Sequence, residues 1–258
     1  MFANRLKLNT DKTELLWAGS RFSHSPLGNL GQSLQPRIDT VTASDHVRVL
    51  GVTFSCDVSL EKHVFKVCST CFYWLRQLRR VRRSLDARVC LDTRIHVFFT
   101  SRVDYCNAVL AGAPRYITDK LQRVLNAAAR LVTGTRKFDR GLERLHDDLR
   151  WLDVPERVQF KLGLTVRRCL RRRAHLVDYC TSVADVVSRQ HLRSASRQLV
   201  VPRHRLNTFG RRAFAQFAVA GPMSWNSLPN SLRESACDDN ISDDCFKHSL
   251  KTFLFSGY

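Results

Sequence analysis

The stretch His46-Val-Arg-Val-Leu-Gly-Val-Thr-Phe54, then Ser-Cys-Asp-Val-Ser-Leu60, then a run ending in Leu75-Arg-Gln-Leu-Arg-Arg-Val-Arg-Arg83, decides how the chain is read. Val47, Val49, Val52 and Phe54 are β-formers and predict a strand, with Gly51 interrupting it where a bulge or a close backbone contact fits. Asp57 and Ser59 mark a turn, and Ser59 is a candidate helix cap. Beyond it Val64, Val67, Cys68, Cys71, Trp74, Leu75 and Leu78 recur at three- and four-residue steps, which predicts a helix with one apolar face. Lys62, Lys66, Arg76, Arg79, Arg80 and Arg83 fall on the other face. The unit is a strand that delivers a helix, apolar towards the protein and basic towards something anionic.

Upstream, Thr13-Glu-Leu-Leu-Trp-Ala-Gly19 and Arg37-Ile-Asp-Thr-Val41 read as strands, separated by a Ser-, Pro- and Gly-containing loop at 21–36. With the strand near residues 47–54 they predict one small, mainly antiparallel sheet. Downstream the pattern is helical. Ser84 and Asp86 are candidate caps for a second helix through Phe98, Phe99 and Val103. Thr118 is the candidate cap of a third over Asp119–Val132, stopped by Gly134. A short helix carries Leu142, Leu145 and Leu149. Pro155 suits the first turn of a fifth, running to about His175, whose apolar side holds Val158, Leu162, Val166 and Cys169 and whose other side holds Arg167, Arg168, Arg171, Arg172 and Arg173. Gln198-Leu-Val-Val201 reads as a short strand, Gly221-Pro222 as a turn into Trp225, and 234–244 as an acidic loop before a last helix capped by Asp243 or Asp244. The fold class expected is α/β, mainly α, in three parts: 1–58, 59–177 and 178–258.

The 258 residues are 44% hydrophobic, enough for a buried core. No apolar run approaches the roughly 20 residues that span a bilayer, and no signal-peptide core is visible. The expectation is an intracellular protein of nucleus or cytoplasm, not secreted, with no membrane partner. The net charge is +19, with 42 Lys and Arg, most of them Arg. That excess points to nucleic acid, since Arg grips phosphate in a forked geometry; an Arg-biased, solvated surface is the plainer alternative. Nine cysteines without a signal peptide read as reduced core thiols, and the one close pair, Cys68 and Cys71, lacks a second pair at zinc spacing.

Leu50-Gly51-Val52, with Asp57, Leu60 and His63 following, resembles the end of the reverse-transcriptase domain of LINE-type (non-LTR, jockey-like) retrotransposons. Four further stretches are similar to that family in order and spacing: Leu6-Lys-Leu-Asn-Thr-Asp-Lys-Thr-Glu14, Arg102-Val-Asp-Tyr-Cys-Asn107, Leu121-Gln-Arg-Val-Leu-Asn-Ala-Ala-Ala-Arg-Leu-Val132 and Ala220-Gly-Pro-Met-Ser-Trp-Asn-Ser-Leu-Pro229. The resemblance runs from Arg5 almost to Tyr258 and covers the last part of such a polymerase. It implies the end of a palm followed by a helical thumb and a C-terminal region. Met1 lies just before the family-like run, so the reading frame is expected to start inside a truncated element, with the missing upstream palm region as a possible partner.

A complete family member holds Mg²⁺ on two palm carboxylate sites, both upstream of the Lys-Leu-Asn stretch. Asp147-Asp148, Asp238-Asp239 and Asp243-Asp244 do not substitute, because none sits between β-forming runs. The chain alone is therefore expected to be inactive, with no cofactor and no metal. Lys12 falls, by the resemblance, in a motif that approaches the incoming nucleotide; without the metal it is a relic, or simply a solvated lysine at a turn. The candidate nucleic-acid-binding residues are Arg76, Arg79, Arg80, Arg82 and Arg83, then Arg167, Arg168, Arg171 and Arg172, with RNA–DNA duplex or RNA as partner. For the first cluster the alternative is complementing the helix dipole. Tyr73 and Trp74 adjoin it, with Trp74 assigned to the apolar stripe and so to the core. The alternative function is a host-adopted, non-enzymatic nucleic-acid-binding or protein-interaction module.

Overall fold

The computed structural model describes residues 9, 12–17, 33–34, 40–57, 59–81, 88–135, 148–171, 175–186, 197–202, 216–238 and 240–256. It is mainly helical, with small antiparallel ladders ahead of the first long helix. The chain divides into two compact units, residues 1–65 and 66–258. The boundary expected near residue 178 falls inside the second. The expected helix through Leu142 and Leu145 and the caps Ser84 and Asp86 lie outside the described residues.

In the first unit, β1 (Ser33–Leu34) pairs antiparallel with β2 (Val41–Thr42), and β3 (His46–Val49) pairs antiparallel with β4 (Val52–Ser55). The single strand expected at 47–54 is thus a hairpin. Val49 faces Val52, so Leu50 and Gly51 form a two-residue loop, and their φ angles of 47° and 86° are both positive. Two positive φ values define the type I′ turn, whose twist matches that of the flanking strands. Gly51 therefore makes a reversal rather than a bulge. Among the described residues the expected sheet is represented by two separate ladders and an isolated parallel bridge from Leu15 to Ala43, and the strand expected at Arg37–Val41 lies mostly outside them. Glu14 accepts the Arg48 N–H at 3.0 Å.

α1 (Glu61–Val81) starts where Asp57 accepts the Ser59 N–H at 2.9 Å and Leu60 accepts the first helical bond, from Val64, at 2.9 Å. Asp57 thus closes the turn that precedes the helix. In the second unit α2 (Arg88–Asp104) and α3 (Arg115–Thr133) pack together. α3 begins three residues before the expected Thr118, after Pro114, and Thr118 instead donates back to the Arg115 carbonyl. Gly134, φ 81°, ends it as expected. α4 (Val154–Leu170) is the hub: α5 (Gln216–Asn226), α6 (Asn230–Cys237) and α7 (Asp243–Phe255) pack on it, as do α2 and α3. Trp225, Phe246, Leu250, Val166 and Cys169 form the centre of its core, all essentially inaccessible.

Gly221 and Pro222 lie inside α5 instead of making a turn. A Cβ on Gly221 would come within 3.3 Å of Val166 and 3.1 Å of Phe217, so glycine permits the close approach of α5 to α4. The expected acidic loop is shorter than 234–244, because α6 extends to Cys237 and α7 starts at Asp243, capped by Ser242 through the Cys245 N–H.

The family-like motifs supply joints between these elements. Asp104 pairs with Arg157 at 2.9 Å, Arg157 donates to the Leu152 carbonyl at 2.6 Å, and buried Asn107 donates to the Arg157 carbonyl at 3.4 Å. Gln122 of α3 accepts the Val154 N–H at 2.9 Å and donates to Asp153 at 2.6 Å, holding the start of α4. Asn226 accepts the Leu199 N–H and donates to the Leu199 carbonyl, both at 2.9 Å, and Trp225 donates to the Arg197 carbonyl at 3.0 Å.

Candidate nucleic-acid interface

Within the second unit, Lys66, Ser69, Tyr73, Arg76 and Arg80 follow one another along α1 at steps of three and four residues. That spacing places them on one helix face, over a length of roughly 21 Å. All five are exposed, as is Arg79 beside them. The opposite side, with Cys68, Cys71 and Leu75, is buried. No acidic residue occurs in α1 after Glu61, so nothing on the helix itself offsets these charges. Among the described residues Lys66, Arg76, Arg79 and Arg80 have no carboxylate partner. Exposed cations without partners keep their hydration and their freedom, the condition in which they can neutralise phosphate and release counterions. Arg82 and Arg83 lie outside the described residues.

The second expected cluster divides. Arg168 is exposed, and Arg172 lies outside the described residues. Arg167 and Arg171 turn inward, which corrects their assignment to a solvent face. Arg167 is 1% exposed; it donates to the carbonyls of Ile241 at 2.6 Å and Ser242 at 3.2 Å, sits 3.4 Å from Asp243 and covers the Phe246 ring at 4.5 Å. Arg171 donates to the Asp238 and Ile241 carbonyls at 2.6 and 2.9 Å and to Asp243 at 3.2 Å. The segment entering α7 consumes both guanidinium groups, so neither can reach a phosphate in this conformation.

Lys12 is exposed, in a turn held by its N–H on the Asn9 carbonyl at 3.2 Å and by the Thr13 hydroxyl on the same oxygen at 2.8 Å. Asp243 is engaged by Arg167 and Arg171, and Asp244 by Lys247, which holds its carboxyl below the usual range through a 2.6 Å hydrogen bond. Among the described residues no group of three His, Cys, Asp or Glu comes together that could hold a metal ion. No described helix is long and apolar enough to cross a membrane.

Sequence reasoning misplaced Trp74. It is 42% exposed rather than core, and its ring meets Tyr73 and the α2 residue Phe98 edge to face. The signal was available, because Trp74 adjoins Tyr73 in sequence and flanks the buried Cys71–Leu75 side. Exposed Arg102, Arg115, Tyr116 and Arg123 on α2 and α3 add to the basic and aromatic surface and were also missed. The thiols divide by burial. Burial pushes Cys68 and Cys71 up to about 11 and Cys180 up to about 12, whereas Cys237 and Cys245 are exposed and so are not core thiols. Compared with known proteins, the chain has no match among family models, curated proteins or solved structures.

Proposed function

We propose that this chain acts as the nucleic-acid-gripping C-terminal part of a LINE-type reverse transcriptase, binding template–primer duplex without catalysing. The observation that carries this reading is the exposed stripe Lys66, Tyr73, Arg76 and Arg80 on α1, with Arg79 beside it. Its length corresponds to about six base-pair rises of duplex, and lysine and arginine with hydroxyl side chains are what phosphate contacts use. The family resemblance supplies the substrate class, and the net charge of +19 agrees with a polyanionic partner.

The test is a salt titration of binding to an RNA–DNA hybrid. Replacing Arg76, Arg79 and Arg80 by Gln removes three charges and retains helix propensity. Each lost duplex phosphate contact reduces the slope of log affinity against log salt by about 0.9. A drop of about two to three in slope is expected, shared by all sequences. A slope equal to that of an Arg48→Gln, Arg150→Gln, Arg197→Gln control, three exposed arginines outside the stripe, would remove α1 from the interface.

A second reading, a host-adopted protein-interaction module, draws on a groove of about 380 Å³ lined by Ala111, Val158, Leu162, Val219 and Met223. Loss of nucleic-acid binding altogether, with the fold intact, would favour it.

A further inference from the structure

Tyr73, Trp74 and Phe98 form a row of rings on the surface of the second unit. Tyr73 and Trp74 are 54% and 42% exposed, with centroids 5.5 Å apart and planes at 80°. Trp74 and Phe98 are 5.7 Å apart at 71°. Phe98 in turn packs at 5.0 Å on Phe99, which is fully buried, so the row is anchored to the core. Exposed Arg102, one turn along α2, holds its guanidinium 4.3 Å over the Phe98 ring. Edge-to-face packing fixes the rings against one another; Tyr73 and Trp74 stay substantially exposed, and Arg102 covers a face of the half-buried Phe98. Leaving tryptophan and tyrosine in water forgoes burial that folding would otherwise use, and such a patch marks a contact surface.

The charge around the row identifies the partner. Arg76 follows Trp74 by two residues, Arg79 and Arg80 by five and six, and Arg102 caps the far end. Asp104, two residues beyond Arg102 on α2, is held by Arg157. A duplex presents its bases only by their edges, whereas a single strand exposes faces that stack on aromatic rings and guanidinium planes. We propose that Tyr73, Trp74 and Phe98, with Arg102, form a stacking platform for the unpaired bases of a single RNA strand beside the duplex-binding stripe of α1. This rests on the nucleic-acid reading above. It extends it from duplex to the junction where a duplex gives way to single-stranded template.

The experiment compares the full chain and its Trp74→Leu variant on two ligands: a blunt RNA–DNA hybrid, and the same hybrid with a six-nucleotide single-stranded RNA extension. Trp74 is substantially exposed and lies outside the duplex-binding stripe, and leucine keeps an apolar contact with Phe98. Wild type is expected to prefer the extended ligand by about tenfold for each base stacked. The variant should lose that preference while keeping wild-type affinity and salt slope on the blunt hybrid, and Trp74→Phe should restore part of it. Quenching of tryptophan fluorescence by the extension should be smaller in Trp74→Phe than in wild type. An extension preference that survives in the variant overturns the platform and leaves duplex binding standing. Equal affinity of wild type for both ligands does the same. If wild type binds neither, the platform and the nucleic-acid reading fall together, and a protein partner becomes the explanation of the aromatic row.

Discussion

Replacing Arg167 with methionine should destabilise the second unit and leave nucleic-acid binding alone. Methionine keeps an unbranched stem of similar volume, so the cavity left beside Phe246 is small. What disappears is the guanidinium: its bonds to the Ile241 and Ser242 carbonyls, its approach to Asp243 and its cover over Phe246. Hydrogen bonds from a charged donor contribute about 1.5–3 kcal/mol each, and relief from desolvating a buried cation offsets part of the loss. Asp243 keeps Arg171 at 3.2 Å, so no carboxylate is orphaned. The net loss is about 2–4 kcal/mol. For a unit of this size that is a fall in Tm of roughly 4–16 °C. Urea unfolding followed by far-UV circular dichroism should show a lower midpoint at unchanged m. The exposed Arg79→Met control should stay within about 0.5 kcal/mol of wild type. On the RNA–DNA hybrid the salt slope of Arg167→Met should equal that of wild type. An unchanged urea midpoint together with a flattened salt slope would mean that Arg167 reaches phosphate and that its contacts to the α7 entry contribute nothing.

Four further outcomes follow from the geometry. Asn226→Ala leaves both backbone groups of buried Leu199 without their partners and should lower stability by about 2–4 kcal/mol in the same urea assay; a loss below about 0.5 kcal/mol would contradict the joint. Leu50→Asn places a residue that tolerates positive φ in the hairpin turn and should raise the stability of the first unit by about 1 kcal/mol, read by hydrogen exchange of the Val47 and Val52 amides. Cys68 and Cys71 have raised folded-state values of about 11 against 9.0, so they favour the folded state fully below pH 9. That contribution fades as pH rises from 9 to about 11, and a Cys68→Ala, Cys71→Ala variant should show a shallower decline over that window. Primer extension by the purified chain on an RNA template, with Mg²⁺ or Mn²⁺, should not exceed a blank.

The helical reading succeeded where an apolar stripe ran over three or more turns. Val64, Cys68, Cys71 and Leu75 announce α1, and Leu121, Val124, Leu125 and Ala128 announce α3, because a 3.6-residue period survives any choice of partner. Short signals failed for want of tertiary context. Gly51 could serve a bulge or a turn, and only the pairing of Val49 with Val52 selects the turn. Gly221-Pro222 reads as a turn in any local scan, yet the approach of α5 to Val166 draws it into a helix. Arg167 carries no local mark that distinguishes it from Arg168. One faces the segment entering α7 and the other faces solvent, and a residue more than 70 positions away decides which.

That asymmetry bears on how the family-like motifs are weighed. Asp104 and Asn107, Gln122, and Trp225 with Asn226 belong to three of the stretches that carry the resemblance, and each is spent on a joint between elements. A polar side chain that satisfies a buried backbone group has few substitutes, since removing it leaves that group without a partner at about 1–3 kcal/mol. Residues of this kind hold the packing of elements together and are silent on chemistry. The surface that would meet a ligand is the reverse case. Among the described residues Lys66, Arg76 and Arg80 have no carboxylate partner, and their spacing carries information only once α1 is known to bury its other side. Three of the stretches that carry the resemblance thus supply residues that hold the fold, while the binding proposed above draws on exposed residues. The two can be broken separately: Asn226→Ala should unfold the unit before it weakens binding at full folding, and Arg76→Gln with Arg80→Gln should weaken binding in a chain as stable as the original.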